Sequence, residues 1–120
     1  MSEKVVCGNA SFENEQHRGW FVGEFMPDVD LRHDKQVEIK WGQHDAGKTR
    51  NEWTLDEHRK TMCVLIAGKF RLQFEDDSER VLSERGDYAV WGPAVSHTWE
   101  ALENGTTIMT VRWLPEQTSR

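Results

Sequence analysis

The sequence is a succession of short runs of β-forming residues, most of them ended by residues that favour turns. Strands spaced in this way are typical of an antiparallel sandwich or barrel, and no regular alternation of strands with long helices is visible. We therefore predict an all-β fold of about six to eleven strands in two sheets, with helical character only in residues 51–60. The candidate strands are residues 19–26, 37–41, 61–66, 70–74, 80–82, 88–91, 97–102 and 106–114.

The run V-E-I-K-W at the second candidate strand alternates with period two. Its apolar members, Val37, Ile39 and Trp41, are expected to face the core. Glu38 and Lys40 alternate with them and are expected to face solvent. This strand therefore receives a predicted orientation as well as a predicted position.

Length and charge restrict the classes of protein to which the chain can belong. Its 120 residues fit one domain, expected to span residues 1–120. The formal net charge of −6, with lysines and arginines scattered along the chain, argues against nucleic-acid binding, which needs clustered cations. The longest apolar run, residues 62–67, is too short to cross a membrane. We expect a cytoplasmic protein without a leader segment, whose Cys7 and Cys63 are free thiols.

Three segments resemble sequence motifs of the cupin family. Residues 61–68, which precede a hairpin, resemble the end of the first cupin motif, G-x5-H-x-H-x3,4-E-x6-G. Residues 86–97 resemble the second motif, G-x5-P-x-G-x2-H-x3-N. Residues 44–53 resemble the pattern H-x2-G-x2-R-x2-W of a group of small bacterial cupins. The resemblance covers about residues 20–114 and implies a cupin jelly roll, that is, a double-stranded β-helix barrel.

The resemblance also places the usual cupin metal ligands, and most of these positions carry other residue types. The glutamate of the first motif falls on Thr61, and only His97 keeps the identity of a ligand. No cofactor is therefore expected, because a first-row divalent metal needs about three imidazole or carboxylate ligands around one point. The two first-motif histidines fall, depending on the spacer, on Thr54 and Asp56 or on Leu55 and Glu57. A divalent transition metal is the alternative, and its candidate ligands are His97, His44 and His58, with Glu52 in addition.

Five residues are the candidates for a small-molecule site. The His97 side chain is expected to point toward the inside of the barrel. Arg50 offers a planar fork of donors for a carboxylate or phosphate, and Trp53 offers a stacking wall, so a small aromatic or anionic ligand would fit. The alternative for these two is that Trp53 fills the core and Arg50 pairs with an acidic neighbour. The candidate ligand-binding residues are His97, Trp99, His44, Arg50 and Trp53.

Three functional hypotheses follow from the resemblance and the residues. The favoured one is a small-molecule-binding cupin that lacks most of the usual metal ligands. The second is a metal-dependent dioxygenase or isomerase with displaced histidine ligands, and the third is a non-catalytic structural or interaction domain. A serine hydrolase is not expected, because no G-x-S-x-G segment is present and the adjacent Ser96 and His97 point to opposite faces of a strand.

Tryptophans are frequent on the candidate strands, and we expect them to fill the core and an interface rather than to stack nucleic-acid bases. The first candidate strand, residues 19–26, has apolar residues at both alternating positions, more than one core face needs. An isologous pair is the commonest soluble oligomer, so a homodimer is expected. The tryptophans concerned are Trp20, Trp41, Trp91, Trp99 and Trp113.

Overall fold

Eight β-strands form the regular structure of the residues that the computed structural model describes, namely 4–50, 52–54 and 57–116. A 3₁₀ turn over Gln16–Gly19 precedes the first strand. No helix within the described ranges is long and apolar enough to cross a membrane. The strands are β1 Trp20–Val22, β2 Val37–His44, β3 Lys60–Ala67, β4 Phe70–Phe74, β5 Glu79–Leu82, β6 Tyr88–Trp91, β7 His97–Ala101 and β8 Thr106–Trp113.

The strands form two sheets whose inner faces pack against each other. The large sheet has the order β1-β2-β8-β3-β6, and the small sheet has the order β5-β4-β7. Every pairing within these sheets is antiparallel. The prediction of an all-β, two-sheet fold with little helix is therefore confirmed.

The predicted strand over residues 19–26 is wrong in its second half. Only Trp20–Val22 forms a strand. The Gly23 N–H then donates to the Arg32 carbonyl at 2.9 Å, and the Asp34 N–H donates to the Gly23 carbonyl at 3.2 Å. Because these groups of Gly23 are engaged by the following loop, the chain leaves the sheet at this point.

Helical character in residues 51–60 is absent from the part of that segment that the structure describes. Residues 52–54 and 57–59 have irregular backbone. The Thr54 N–H donates to the His97 carbonyl at 3.0 Å, so the segment pairs with the end of a strand instead of forming a helix. The residues of this prediction that lie outside the described ranges are Asn51, Leu55 and Asp56.

The core lies between the sheets and receives side chains from both. Leu65 of the large sheet and Leu72 of the small sheet are almost completely buried. The Phe74 and Trp91 rings meet edge to face, with their centroids 5.2 Å apart. Burial of such apolar area is the main favourable contribution to folding. The buried core cluster consists of Cys63, Leu65, Phe70, Leu72, Leu82, Trp91 and Ile108.

The orientation of β2 is opposite to the prediction. Lys40 pairs with Thr110, and Thr110 pairs with the core residue Cys63. Directly paired residues lie on the same face of a sheet, so Lys40 faces the interior. A period of two specifies the two sets of side chains, but it does not specify which set faces the core. The correction applies to the whole run: Val37, Ile39 and Trp41 face outward, and Glu38 and Lys40 face inward.

Most outward-facing side chains on four neighbouring strands of the large sheet are apolar, with Lys60 and Gln43 among the exceptions. On β6 they remain exposed, because Tyr88 keeps 66% and Val90 keeps 50% of its accessible surface. Contiguous apolar patches of this kind are uncommon on monomeric proteins and mark surfaces that contact a partner. We call the set the apolar outer face, and its members are Val37, Ile39, Trp41, Met62, Val64, Tyr88, Val90, Met109, Val111 and Trp113.

Gly68 lies in the turn between β3 and β4. We expect it to tolerate replacement by alanine less well than Gly86, which serves as its matched control. Both have positive φ, +87° and +96°, so alanine costs each about 1–2 kcal/mol. A Cβ at Gly68 would also lie 2.6 Å from the Thr106 Cα, whereas Gly86 faces open space. We expect Gly68→Ala to lower the free energy of unfolding by on the order of 1–3 kcal/mol more than Gly86→Ala, as for overpacked sites. Urea denaturation measures the difference, and equal losses would contradict it.

Candidate functional site

A small cavity lies between the two sheets. Its volume is about 30 Å³, which is room for about two water molecules. Within the described part of the chain, no Asp or Glu lines it. Its charged and imidazole-bearing lining residues are Lys40, His44, Arg50, His97 and Arg112.

Arg50 reaches the cavity because the segment before β3 runs antiparallel along the edge of β7. The Ala101 N–H donates to the Lys48 carbonyl at 2.9 Å, and the Arg50 N–H donates to the Trp99 carbonyl at 3.1 Å. The Thr98 hydroxyl also donates to the Arg50 carbonyl at 2.8 Å. These bonds hold the Arg50 backbone beside β7, which in turn positions the side chain at the cavity.

His97 is held in the interior at the start of β7. It is 6% exposed, and its ring centroid lies 4.6 Å from that of Trp91. The Thr54 hydroxyl lies 3.5 Å from Nε2, whereas Nδ1 has no hydrogen bond of ordinary geometry among the described residues. Burial lowers the pKa of His97 to about 4, and the nearby charges of Arg50 and Arg112 act in the same direction. His97 is therefore a neutral imidazole at pH 7.

The second imidazole of the cavity belongs to His44, at the end of β2. Its ring packs on Trp99 with the centroids 4.4 Å apart, and Trp99 in turn stacks on Phe70. Burial lowers the pKa of His44 to about 4, with a further contribution from the charge of Lys40. The cavity therefore contains two neutral imidazoles among cationic neighbours.

Three cationic side chains, Lys40, Arg50 and Arg112, line the same cavity. Burial lowers the pKa of Lys40, and the charges of Arg112 and Arg50 lower it further. Trp20 offers an aromatic surface to two of these cations: its ring centroid lies 4.8 Å from the Arg112 Cζ and 5.6 Å from the Lys40 Nζ. Such cation–π contacts compensate only part of the cost of removing a charge from water.

Arg112 belongs to an ion-pair network at one end of the cavity. Its Nη1 lies 3.3 Å from Glu38 and 3.7 Å from Glu57. Arg59 contacts the same two carboxylates at 2.9 Å and 3.0 Å. The two arginines and the two glutamates balance in charge. Lys40 and Arg50 therefore contribute positive charge to the cavity that this network does not neutralise.

The structure brings four of the five candidate ligand-binding residues to the cavity: His44, Arg50, His97 and Trp99. Trp53 is not among them. Its side chain is 41% exposed and lines a separate surface depression beside Glu52 and Glu75. A wider depression of about 770 Å³ runs along the exposed edges of β5 and β6, and it contains none of the candidate residues. The interior, where polar groups converge, is the candidate site.

Lys40, Arg112 and Trp20 are among the cavity residues that sequence reasoning missed. Lys40 was assigned to the solvent face because its apolar neighbours on β2 were assigned to the core. Arg112 shares its sheet face with Thr61, its partner in the ladder and the position of the first-motif glutamate. That pairing is the signal that would have found Arg112, but it requires the register of β3 against β8, which a single sequence does not contain.

Of the comparisons with known proteins, only the one with solved structures found similar proteins. No family model matches the chain, and no curated protein matches it. KdgF from Halomonas sp. is similar with a TM-score of 0.60 and 20% identity, over 70% of this chain and 75% of that chain. A cupin protein from Bacteroides fragilis is similar with a TM-score of 0.61 and 11% identity, over 72% and 73%. The chain has the cupin fold.

A third similar structure is a variant of oxalate decarboxylase from Bacillus subtilis, a protein with Mn(II) centres. The TM-score is 0.56 and the identity 17%, over 71% of this chain and 23% of that chain. At such low identity the likeness concerns the cupin fold and not the activity, since one fold hosts many functions.

The donor set of this cavity does not fit a divalent metal ion. Among the described residues, no three His, Cys, Asp or Glu side chains come together in a group that could hold one. Lys40, Arg50 and Arg112 would repel a cation, and Cys63 is no thiolate because burial raises its pKa to about 11. The alternative ligands are also dispersed, since His58 is exposed and does not line the cavity.

Replacement of His97 by glutamine is expected to make the stability of this protein less sensitive to acid. Below pH 6.5 the unfolded chain takes up a proton on this side chain, whereas the folded chain does so only near pH 4. The free energy of unfolding therefore falls as the pH drops from about 6.5 to about 4, and this histidine contributes roughly 3 kcal/mol of that loss. Urea denaturation at pH 7 and pH 4.5 should show a smaller difference for His97→Gln than for the unmodified protein.

The matched control is His58→Gln, which removes an exposed histidine outside the cavity. It should leave the difference between the two pH values as it is in the unmodified protein. An equal difference in all three proteins would show that His97 is not the acid-sensitive group.

Proposed function

We propose that this cupin is a binding protein whose barrel interior receives the polar head of a small organic molecule without a metal ion. The observation that carries the proposal is a set of buried polar atoms without partners. Among the described residues, the Thr61 hydroxyl and the Arg112 Nε are buried and have no hydrogen-bond partner. Both residues line the cavity. Buried polar groups in native proteins are almost always hydrogen-bonded, so an occupant of the cavity would supply the missing bonds.

The size of the cavity restricts how a ligand would bind. About 30 Å³ accommodates one small polar group and not a whole metabolite. The remainder of the ligand would therefore lie toward the barrel opening, beside the segment that carries Arg50. This arrangement resembles small-molecule sites in which a few polar groups orient the ligand and apolar walls contribute the rest.

A structural or interaction domain is the second candidate, and the small volume of the cavity favours it. In that case ordered water would satisfy the Thr61 and Arg112 atoms. The metal-dependent enzyme is the third, supported by the Mn(II) of the oxalate decarboxylase relative and opposed by the donor set of this chain. The three candidates differ in what occupies the interior: an organic group, water or a metal.

Metal analysis separates the enzyme candidate from the other two. We expect protein purified without an affinity tag to contain no stoichiometric Fe, Mn, Ni, Zn or Cu by mass spectrometry. A chelator should also leave the melting temperature unchanged, because no metal contributes to stability. One equivalent of a transition metal, lost in His97→Ala, would refute the metal-free proposal.

We also propose that two copies of the chain associate through the apolar outer face. Four strands of up to eight residues present a flat area on the order of 500 Å². Because side chains project from the sheet, the accessible area of this face is larger than the flat area and approaches the roughly 800 Å² that each partner buries in a stable complex. An isologous contact of this face with itself covers both copies at once, which suits a surface without complementary charges. A second copy is therefore the occupant that we favour.

A charged residue at the centre of this face is expected to prevent dimerisation. Val64 lies on β3 between Met109 and Tyr88, so Val64→Lys would place an ammonium group in the buried contact. Val81→Lys is the matched control, since Val81 is 48% exposed on the small sheet. Sedimentation equilibrium should give a dimer for the unmodified protein and for Val81→Lys, and a monomer for Val64→Lys. A monomeric unmodified protein at micromolar concentration would contradict the proposal.

A further inference from the structure

Two partly buried cations of the cavity, Lys40 and Arg50, have no carboxylate partner in the described part of the chain. The ion pairs within 4.0 Å that involve arginines of the interior belong to Arg59 and Arg112. Neither Lys40 nor Arg50 contacts a described carboxylate at that distance, although both line the cavity. The Arg50 Nε donates instead to the neutral Glu52 carbonyl at 3.0 Å.

Such an arrangement is costly when the cavity contains only protein and water. Burial of an unpaired charge is unfavourable, and like charges in one cavity repel each other. Both effects act here: burial lowers the pKa of Arg50, and the charge of Arg112 lowers it further. Lys40 is affected by the same two arginines. An anion in the cavity would remove this cost, and a neutral group would not.

This cost favours a negatively charged ligand group in the cavity. We propose that the barrel interior binds the carboxylate of a small organic acid between Lys40, Arg50 and Arg112. This inference rests on the proposed binding function and adds the chemical class of the ligand.

The donors of the cavity match a carboxylate in number and kind. A carboxylate has two oxygens that accept about four hydrogen bonds. The unpartnered Arg112 Nε and the Thr61 hydroxyl are donors, and the Lys40 ammonium has three N–H groups. A carboxylate is also close in size to the two water molecules for which the cavity has room. Neutral His97 and His44 add two imidazoles that can donate without adding charge.

Acetate, acetamide and chloride form a set of probes that isolates the effect of charge. Acetamide has nearly the shape of acetate but no charge, and sodium chloride matches the ionic strength. Trp20 and Trp99 line the cavity, so tryptophan fluorescence reports binding directly. We expect acetate, at constant ionic strength, to give a saturable fluorescence change and a rise in melting temperature. Acetamide and chloride should give neither.

The variants Lys40→Met and Arg50→Gln each remove one of the two unpaired cations. Loss of a charged hydrogen-bond donor should weaken acetate binding by about tenfold or more. Because an unpaired buried charge is removed as well, we expect Lys40→Met without ligand to melt at a higher temperature than the unmodified protein. Arg85→Gln, which removes an exposed arginine in a turn far from the cavity, is the matched control and should bind acetate normally.

Each outcome supports or overturns the inference. If acetate acts no differently from chloride, or if Arg85→Gln loses as much affinity as Arg50→Gln, the carboxylate site is refuted. If acetamide binds as well as acetate, the binding function survives and the anionic class of the ligand is wrong. If Lys40→Met does not fold, Arg50→Gln gives the same test, since its side chain enters from the segment outside the sheets. Stoichiometric bound metal would refute the proposed function itself.

Discussion

The burial of positive charge between two packed sheets is the constraint on which the rest of this structure depends. Lys40, Arg50 and Arg112 share one small cavity with two imidazoles and without a carboxylate in its described lining. Ion pairs with Glu38 and Glu57 and the ring of Trp20 compensate part of this charge. Burial is the main reason that both imidazoles are neutral, and the remaining positive charge acts in the same direction.

The charged interior and the apolar outer face have a common origin in the register of β2. Lys40 and His44 can reach the interior only if Ile39 and Trp41 face away from it, because successive side chains of a strand alternate between faces. The ladder with β8 then continues the outward apolar surface through Val111. A polar cavity and an apolar exterior are thus two consequences of one pairing. In most sandwiches the apolar side of each strand is inside, and β2 departs from this arrangement although the apolar core cluster of this protein still lies between the sheets.

In this barrel the protein itself provides positive charge, whereas the similar oxalate decarboxylase from Bacillus subtilis has Mn(II) centres. Thr61 stands where the first-motif glutamate would stand, and it is buried without a hydrogen-bond partner in the described residues. Its ladder partner Arg112 brings a guanidinium to the same place. A threonine beside an arginine can orient an acceptor, whereas a glutamate beside histidines can hold a cation. The two structures share the fold, and under our proposal the interior of this one receives an anion.

The sequence by itself determined the fold, and it placed one residue, His97, in the interior. Strand-forming runs and turns depend on local preferences, so most strand positions were predictable, and the second-motif segment located His97 on β7. Arg50 and His44 were also predictable as candidates because the pattern in residues 44–53 includes them, and Trp99 because it shares a strand face with His97. The orientation of β2, the arrival of Lys40 and Arg112 in one cavity, and the separate location of Trp53 were decided only by the tertiary structure. These depend on which strands pair and in what register, and pairings between residues far apart in the chain leave no periodic signal in a single sequence.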